Sequence, residues 1–269
     1  MCHGATRGPF SWPRPHWRQR PPLDAKHFEG YFRIVSELRF QSISYDNLGD
    51  WRTGKATLPN HPIMFDFDHP NASIGREIRP IMQRFGFTGN LFINTAPMEK
   101  AADERFMTWD EIRDLMSAGW QIGSHLHNHF NLAYLSKKDP SGALIREQME
   151  KCDGILHKHL GLVSKDFAYT TTTWSRVAER EVKKRYRFGR LWIIGTHYQT
   201  DVGPVRYADL VGVPGPDEQD GGPPSAARYI TQDTDPYRLP SVDFEYLIYE
   251  YEAFRSYLDG ALATEGTRC

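Results

Sequence analysis

Short apolar runs alternate with stretches of helical periodicity along most of this chain, and that alternation restricts the fold more than any single motif. Apolar runs lie at 62–67, 88–94, 120–124, 166–169 and 191–194, and helices are predicted between them over 73–84, 109–118, 142–160 and 175–185. A series of strand, helix, strand brings consecutive strands in parallel, so an α/β parallel sheet or barrel is expected. No repeat of fixed period interrupts it. Further helices are predicted from Asp24 to about Arg39, with Phe28, Phe32, Val35 and Leu38 inward, and over Asp46–Arg52. A strand is expected over Gln41–Tyr45, a loop over Gly212–Pro224, and a closing helix over Phe244–Leu262 with Leu247, Tyr251, Phe254 and Leu258 inward. At 269 residues the chain is long enough for one domain with a full core, and the whole of 1–269 is read as that domain.

A net charge of −1 gives no footing for a polyanion, so nucleic acid is not an expected partner. No apolar run reaches the length of a membrane span. No signal peptide is visible in the Pro-, Arg- and Trp-rich residues 1–22, so the expected location is cytoplasmic unless the N-terminus is truncated. Within that stretch, Phe10, Trp12 and Trp17 fit a loop stapled to the domain better than a sugar-binding rim. The three cysteines, Cys2, Cys152 and Cys269, are too scattered for a disulfide scaffold or a thiolate metal site. Nothing in the pattern fixes the oligomeric state.

Chemistry concentrates at the ends of two of the apolar runs. Gln121-Ile-Gly-Ser-His-Leu-His-Asn-His129 carries three of the eleven histidines, at 125, 127 and 129. Neutral imidazole ligates metals near neutral pH, and a helical turn after Ser124 would put His125 and His129 on one face. Upstream, Ile63-Met-Phe-Asp-Phe-Asp68 reads as a buried strand carrying Asp66 and Asp68 on one side. Buried carboxylates are costly unless paired or bound to a cation. One carboxylate and two histidines leave a fourth position open, the usual catalytic zinc arrangement, and a second carboxylate beside them is placed to act as base. The plainer alternative is an aspartate pair capping the helix over 73–84, which accounts for Asp68 but not Asp66. His157 and His159 read as solvated partners of a helix C-terminus.

These segments resemble the polysaccharide deacetylase (NodB-homology, carbohydrate esterase 4) family. Its His-Ser/Thr-x-x-His motif followed by Pro-x-Leu is similar to His125-Leu-His-Asn-His129-Phe-Asn-Leu132, and its Thr-Phe-Asp-Asp-Gly motif to Met64-Phe-Asp-Phe-Asp68. The lead-in Met107–Ser124 is also similar, and the resemblance runs from about Met1 to Gly195. It implies a distorted (β/α) barrel whose site lies at the C-terminal strand ends. It implies Asp68, His125 and His129 as ligands to zinc or another divalent transition metal, with Asp66 as catalytic base and His127 at the rim. In an alternative register Asp68 is the base and His69 a ligand. The family's third motif ends in Pro-Tyr-Gly, where Thr170-Thr-Thr172 stands here; the amide of Thr171 is the expected oxyanion donor. The family's late Leu-x-His is absent, which leaves His197 as the candidate acid. The expected activity is metal-dependent removal of an N-acetyl group from an amino sugar or other N-acetylated carbohydrate. The rivals are a related C–N hydrolase acting on a cyclic or small amide, and a degenerate carbohydrate-binding domain.

Overall fold

The structure is a computed structural model that describes residues 23–99 and 103–265. The aromatic-rich stretch around Phe10, Trp12 and Trp17 lies outside them, as do Cys2 and Cys269. Asp24 caps α1 (Ala25–Glu37) by accepting the His27 N–H, and Phe28, Phe32 and Val35 are buried as the periodicity predicts. The strand expected over Gln41–Tyr45 is only β1 (Gln41–Ser42), because Ser44 caps α2 (Tyr45–Arg52) with a reciprocal capping box through Asn47. The apolar run after Asn60 divides into β2 (Pro62–Ile63), which pairs with β1, and β3 (Asp66–Asp68).

The first predicted sheet helix begins as a π-turn over Ile74–Ile78 and continues as α3 (Arg79–Arg84). Pro80 explains the widened start: it has no N–H to donate to Arg76, and its ring crowds that carbonyl. Then follow β4 (Asn90–Ile93), α4 (Trp109–Ser117), β5 (Gln121–Ser124), α5 (Leu132–Lys138), α6 (Ala143–Leu160), β6 (Asp166–Ala168), α7 (Arg176–Lys183) and β7 (Phe188–Ile193). Thr108 and Glu111 form the capping box of α4. The antiparallel pair β8 (His197–Thr200) and β9 (Gly203–Arg206), with α8 (Tyr207–Leu210), is an addition the sequence pattern did not announce. β10 (Leu239–Val242) precedes α9 (Tyr251–Glu265). The closing helix thus starts seven residues later than expected, and Tyr251 is 41% exposed rather than inward, while Phe254 and Leu258 are buried as predicted.

Six strands form one parallel sheet in the order β10-β7-β6-β5-β4-β3, curled into a half-barrel. The α/β barrel-type expectation therefore holds. β3, β4 and β6 are buried at every position, as strands covered on both faces must be. Gly123 lets the sheet close on its own contents: a Cβ there would lie 2.4 Å from the Phe92 ring. Because every strand runs the same way, residues 69, 94, 125, 169–171 and 243 all leave the sheet on one rim. No helix among the described residues is long and apolar enough to cross a membrane.

Candidate metal centre

Three strand ends at this rim each carry a non-glycine residue in the left-handed region: His69 (φ 66°) after β3, Leu126 (φ 65°) after β5 and Thr171 (φ 57°) after β6. Such conformations cost free energy, about 1–3 kcal/mol each, and persist where surrounding structure fixes them, often at functional sites. Here they turn the chain sharply at the strand ends. The His125–His129 segment is therefore a loop rather than a helical turn, and α5 begins only at Leu132, capped by Asn131. The rings meet all the same, with centroids 4.8 Å apart.

His69 completes the cluster. Its ring lies 5.3 Å from His125 and 4.6 Å from His129, and one nitrogen from each of the three falls within 4.8 Å of the others. Two nitrogens on one tetrahedral zinc lie about 3.4 Å apart, so the rings would draw together by up to about 1.4 Å to hold one. The donors are also poised. His125 Nδ1 donates to the Ala168 carbonyl at 2.8 Å, and His69 Nδ1 pairs with Asn94 Oδ1 at 2.8 Å. Each bond puts the proton on Nδ1 and the lone pair on Nε2, as carbonyl partners do for metal-ligating histidines.

The carboxylates lie beside this cluster at two depths. Asp68 is buried, with Oδ2 3.8 Å from His125 Nε2 and Oδ1 accepting from Arg190 Nη2. Asp66 is one layer deeper. It accepts from Tyr45 OH at 2.8 Å, Asn90 Nδ2 at 3.1 Å and Ser241 Oγ at 3.3 Å, and lies 3.7 Å from Arg190 Nε. Arg190 is itself fully buried on β7, its guanidinium 5.0 Å from the centre of the Phe92 ring. Burial opposes its charge, but Asp68 and Asp66 outweigh that and raise its pKa. Gly123 matters here too, since it makes the space for the ring on which Arg190 rests.

The expected ligand set named Asp68, His125 and His129. All three lie at this rim: His69 joins the two histidines in the compact group, and Asp68 stands beside it on Arg190, its Oδ2 3.8 Å from His125 Nε2. Asp66, expected as base, has its carboxylate engaged by Tyr45, Asn90 and Ser241. His127 turns away: its ring bonds Thr95 Oγ1 at 2.9 Å and approaches Glu99 at 3.3 Å. Burial and then Lys151 push its pKa down, against the pull of Glu99. Thr171 sits in a loop tied by its own hydroxyls. Thr170 Oγ1 donates to the Phe130 carbonyl, Thr171 Oγ1 to the Thr170 carbonyl at 2.6 Å, and Thr173 Oγ1 to the same carbonyl at 2.9 Å. His197 is exposed on the β8–β9 pair, bonded to Thr196 Oγ1 at 2.8 Å, and is not among the clustered imidazoles. His159, expected in solvent, stacks on Trp109 at 4.4 Å.

Sequence reasoning passed over Arg190, Tyr45, Asn90 and Asn94. Arg190 left a signal: a lone arginine within Phe188-Gly-Arg-Leu-Trp-Ile193 can enter a buried strand only with a carboxylate partner. The other three left none, because tyrosine and asparagine near strand ends are commonplace.

The half-barrel thus carries an imidazole cluster and a buried carboxylate together at its C-terminal rim. The family model for polysaccharide deacetylase matches residues 55–187, which span both Asp66–His69 and His125–His129. That segment is what places the chain with the polysaccharide deacetylase family. Among solved structures it is similar to the deacetylase domain of BpsB from Bordetella bronchiseptica, with a TM-score of 0.62 and 16% identity over 90% of this chain and 94% of that one. It is also similar to the polysaccharide deacetylase BC0361 from Bacillus cereus (TM-score 0.63, 16% identity, 96% of this chain and 67% of that one). A third is the Streptococcus pyogenes deacetylase PplD in complex with acetate (TM-score 0.62, 13% identity, 72% and 83%). At these identities the likeness is one of fold. No curated protein sequence matches the chain.

Proposed function

We propose that this protein is a metal-dependent deacetylase that removes the acetyl group from the nitrogen of an amino sugar or other N-acetylated carbohydrate. The observation that carries the reading is the cluster of His69, His125 and His129 beside a carboxylate anchored on a buried arginine. Family membership supports the reaction class. PplD, a fold neighbour, is described with acetate, the product such a reaction releases.

In this reading the three histidines hold a divalent metal through Nε2 of His69 and His125 and a ring nitrogen of His129. An all-imidazole set with room for a further ligand suits zinc. When bound, the metal supplies a Lewis acid for the amide carbonyl and lowers the pKa of an attacking water to about 7. Asp68 takes the role of base. Arg190 fixes its Oδ1, and Oδ2, 3.8 Å from His125 Nε2 on the side of the cluster, accepts the water's proton. Asp66 keeps Arg190 in place from below and touches neither water nor substrate. The backbone N–H of Thr171, in its left-handed turn after β6, is assigned to the developing oxyanion. Water oxygen bonds to the carbonyl carbon as its proton passes to Asp68, the C–N bond breaks as that proton is handed on to the leaving nitrogen, and acetate and the free amine result.

The test is acetate release from N-acetylglucosamine and its short oligomers by purified protein, before and after chelation and again after zinc is restored. Release that chelation abolishes and zinc restores is expected. No acetate from any N-acetylated carbohydrate, with ring opening of a cyclic amide instead, would replace this reading with the related C–N hydrolase. Carbohydrate binding without turnover under any metal would leave a binding domain.

A further inference from the structure

Phenylalanine is buried or nearly so throughout the described residues, with one exception. Phe130 is 44% exposed, and it follows directly on His129, where the family resemblance has a proline. Four residues on, Tyr134 is 63% exposed. On α5 the residues Leu132, Ala133, Leu135 and Ser136 are buried, so Tyr134 occupies the outer face. Isolated exposed apolar side chains are ordinary. An exposed ring directly after a residue of the imidazole cluster, with a second exposed ring four residues on, is a different matter, because aromatic rings carry most of the apolar area available for recognition.

Both backbones are held in place. The Phe130 N–H donates to the Asn128 carbonyl at 2.8 Å, and its carbonyl accepts from Thr170 Oγ1, which ties it to the loop after β6. The Tyr134 N–H donates to the capping Asn131 Oδ1 at 2.8 Å. Four residues of chain span at most about 14 Å, so one short oligosaccharide can reach both rings. A pyranose presents a face of C–H groups, each slightly positive, and the negative π-face of an aromatic ring receives such a face well. Anchored aromatics with few rotatable bonds lose little entropy when a ring settles on them.

We propose that Phe130 and Tyr134 form a platform at the rim of the imidazole site, on which a sugar ring neighbouring the acetylated one stacks. The proposal rests on the reading of the site as a carbohydrate deacetylase. It assigns a preference: oligosaccharides over single sugars and over small amides, which cannot reach the platform. The motif that carries His129 then serves two tasks, ligation by the histidine and recognition by the residue after it.

The experiment compares wild type, Phe130→Ala, Tyr134→Ala and Phe130→Trp on the trimer of N-acetylglucosamine, reading KM and kcat for acetate release. Each alanine variant is expected to raise KM for the trimer about fivefold with a smaller change in kcat, and Phe130→Trp to keep KM near wild type. Wild-type KM in both alanine variants overturns the platform. Thermal melting of each variant verifies folding, and exposed positions should leave it intact. If wild type releases no acetate from the trimer, the deacetylase reading is what falls. Trimer binding by ligand-observed NMR on the same proteins then decides the platform: weaker binding in Phe130→Ala upholds it, and equal binding overturns it.

Discussion

Replacing Asp68 by asparagine separates the two carboxylates by role. Asparagine keeps one carbonyl oxygen, enough to accept from Arg190 as Oδ1 does now. It puts an NH2 where Oδ2 stands 3.8 Å from His125 Nε2, and an NH2 cannot take a proton from water. The three imidazoles are untouched, so the metal content should match that of the wild type. Loss of a general base lowers turnover about 10²–10⁴-fold, or about 2.7–5.5 kcal/mol of barrier at about 1.36 kcal/mol per decade. Asp66→Asn perturbs a different set of contacts, those to Tyr45, Asn90 and Ser241. Its cost falls on folding, about 1–3 kcal/mol from disrupted buried hydrogen bonds, with turnover reduced less than about tenfold. Acetate release gives turnover, elemental analysis gives metal content, and urea unfolding gives stability for both variants. The role assignment is refuted if Asp66→Asn loses a hundredfold or more in turnover with its metal in place while Asp68→Asn comes out metal-free.

Three further outcomes are expected. His69→Ala should be purified with little zinc under conditions that load the wild type, whereas His127→Ala, whose ring bonds Thr95, should keep it; elemental analysis of both decides. Arg190→Met should destabilise by about 3–5 kcal/mol in urea unfolding, because two buried carboxylates lose their counter-charge. Asp153 accepts from Tyr186 OH, which lies 3.1 and 3.0 Å from its two carboxylate oxygens, and burial pushes its pKa up from 3.8 to about 6. A carboxyl whose folded pKa is raised is easiest to fold when protonated, so its contribution is full below about pH 4 and lost as pH rises through about 6. Asp153→Asn should remove that slope and gain about 1–2 kcal/mol relative to wild type between pH 4 and pH 8, after allowance for partial exposure; equal slopes in the two proteins would refute the cause.

Much of this was legible in the chain, and the parts that were not share a physical cause. Strands buried on both faces and helices with one apolar stripe write their period directly into sequence, which is why β3 to β7 and α3, α4, α6 and α7 stand near their predicted places. Capping residues did the same for Asp24 and Thr108. The β8–β9 pair, β10 and the late start of α9 depend on contacts between distant residues, and His197–Thr200, Gly203–Arg206 and Leu239–Val242 lack the continuous apolar run that marks the legible strands. The convergence of His125 and His129 was legible, but its mechanism was not: the rings meet through a left-handed turn at Leu126, a bulky residue that sequence would not place there.

The ambiguity between Asp66 and Asp68 shows where local reading ends. Alternation puts both carboxylates on one face of β3, and no pattern within the strand distinguishes them. The distinction comes from across the sheet. Arg190 on β7 is long enough to reach both carboxylates, and bonds the outer one directly while passing 3.7 Å from the inner. Tyr45 and Ser241, from opposite ends of the chain, fill the inner carboxylate's remaining positions, which leaves only the outer one facing the imidazoles. His69 follows from the same geometry. His69 is the residue next after Asp68, and its left-handed backbone turns its ring toward His125 and His129.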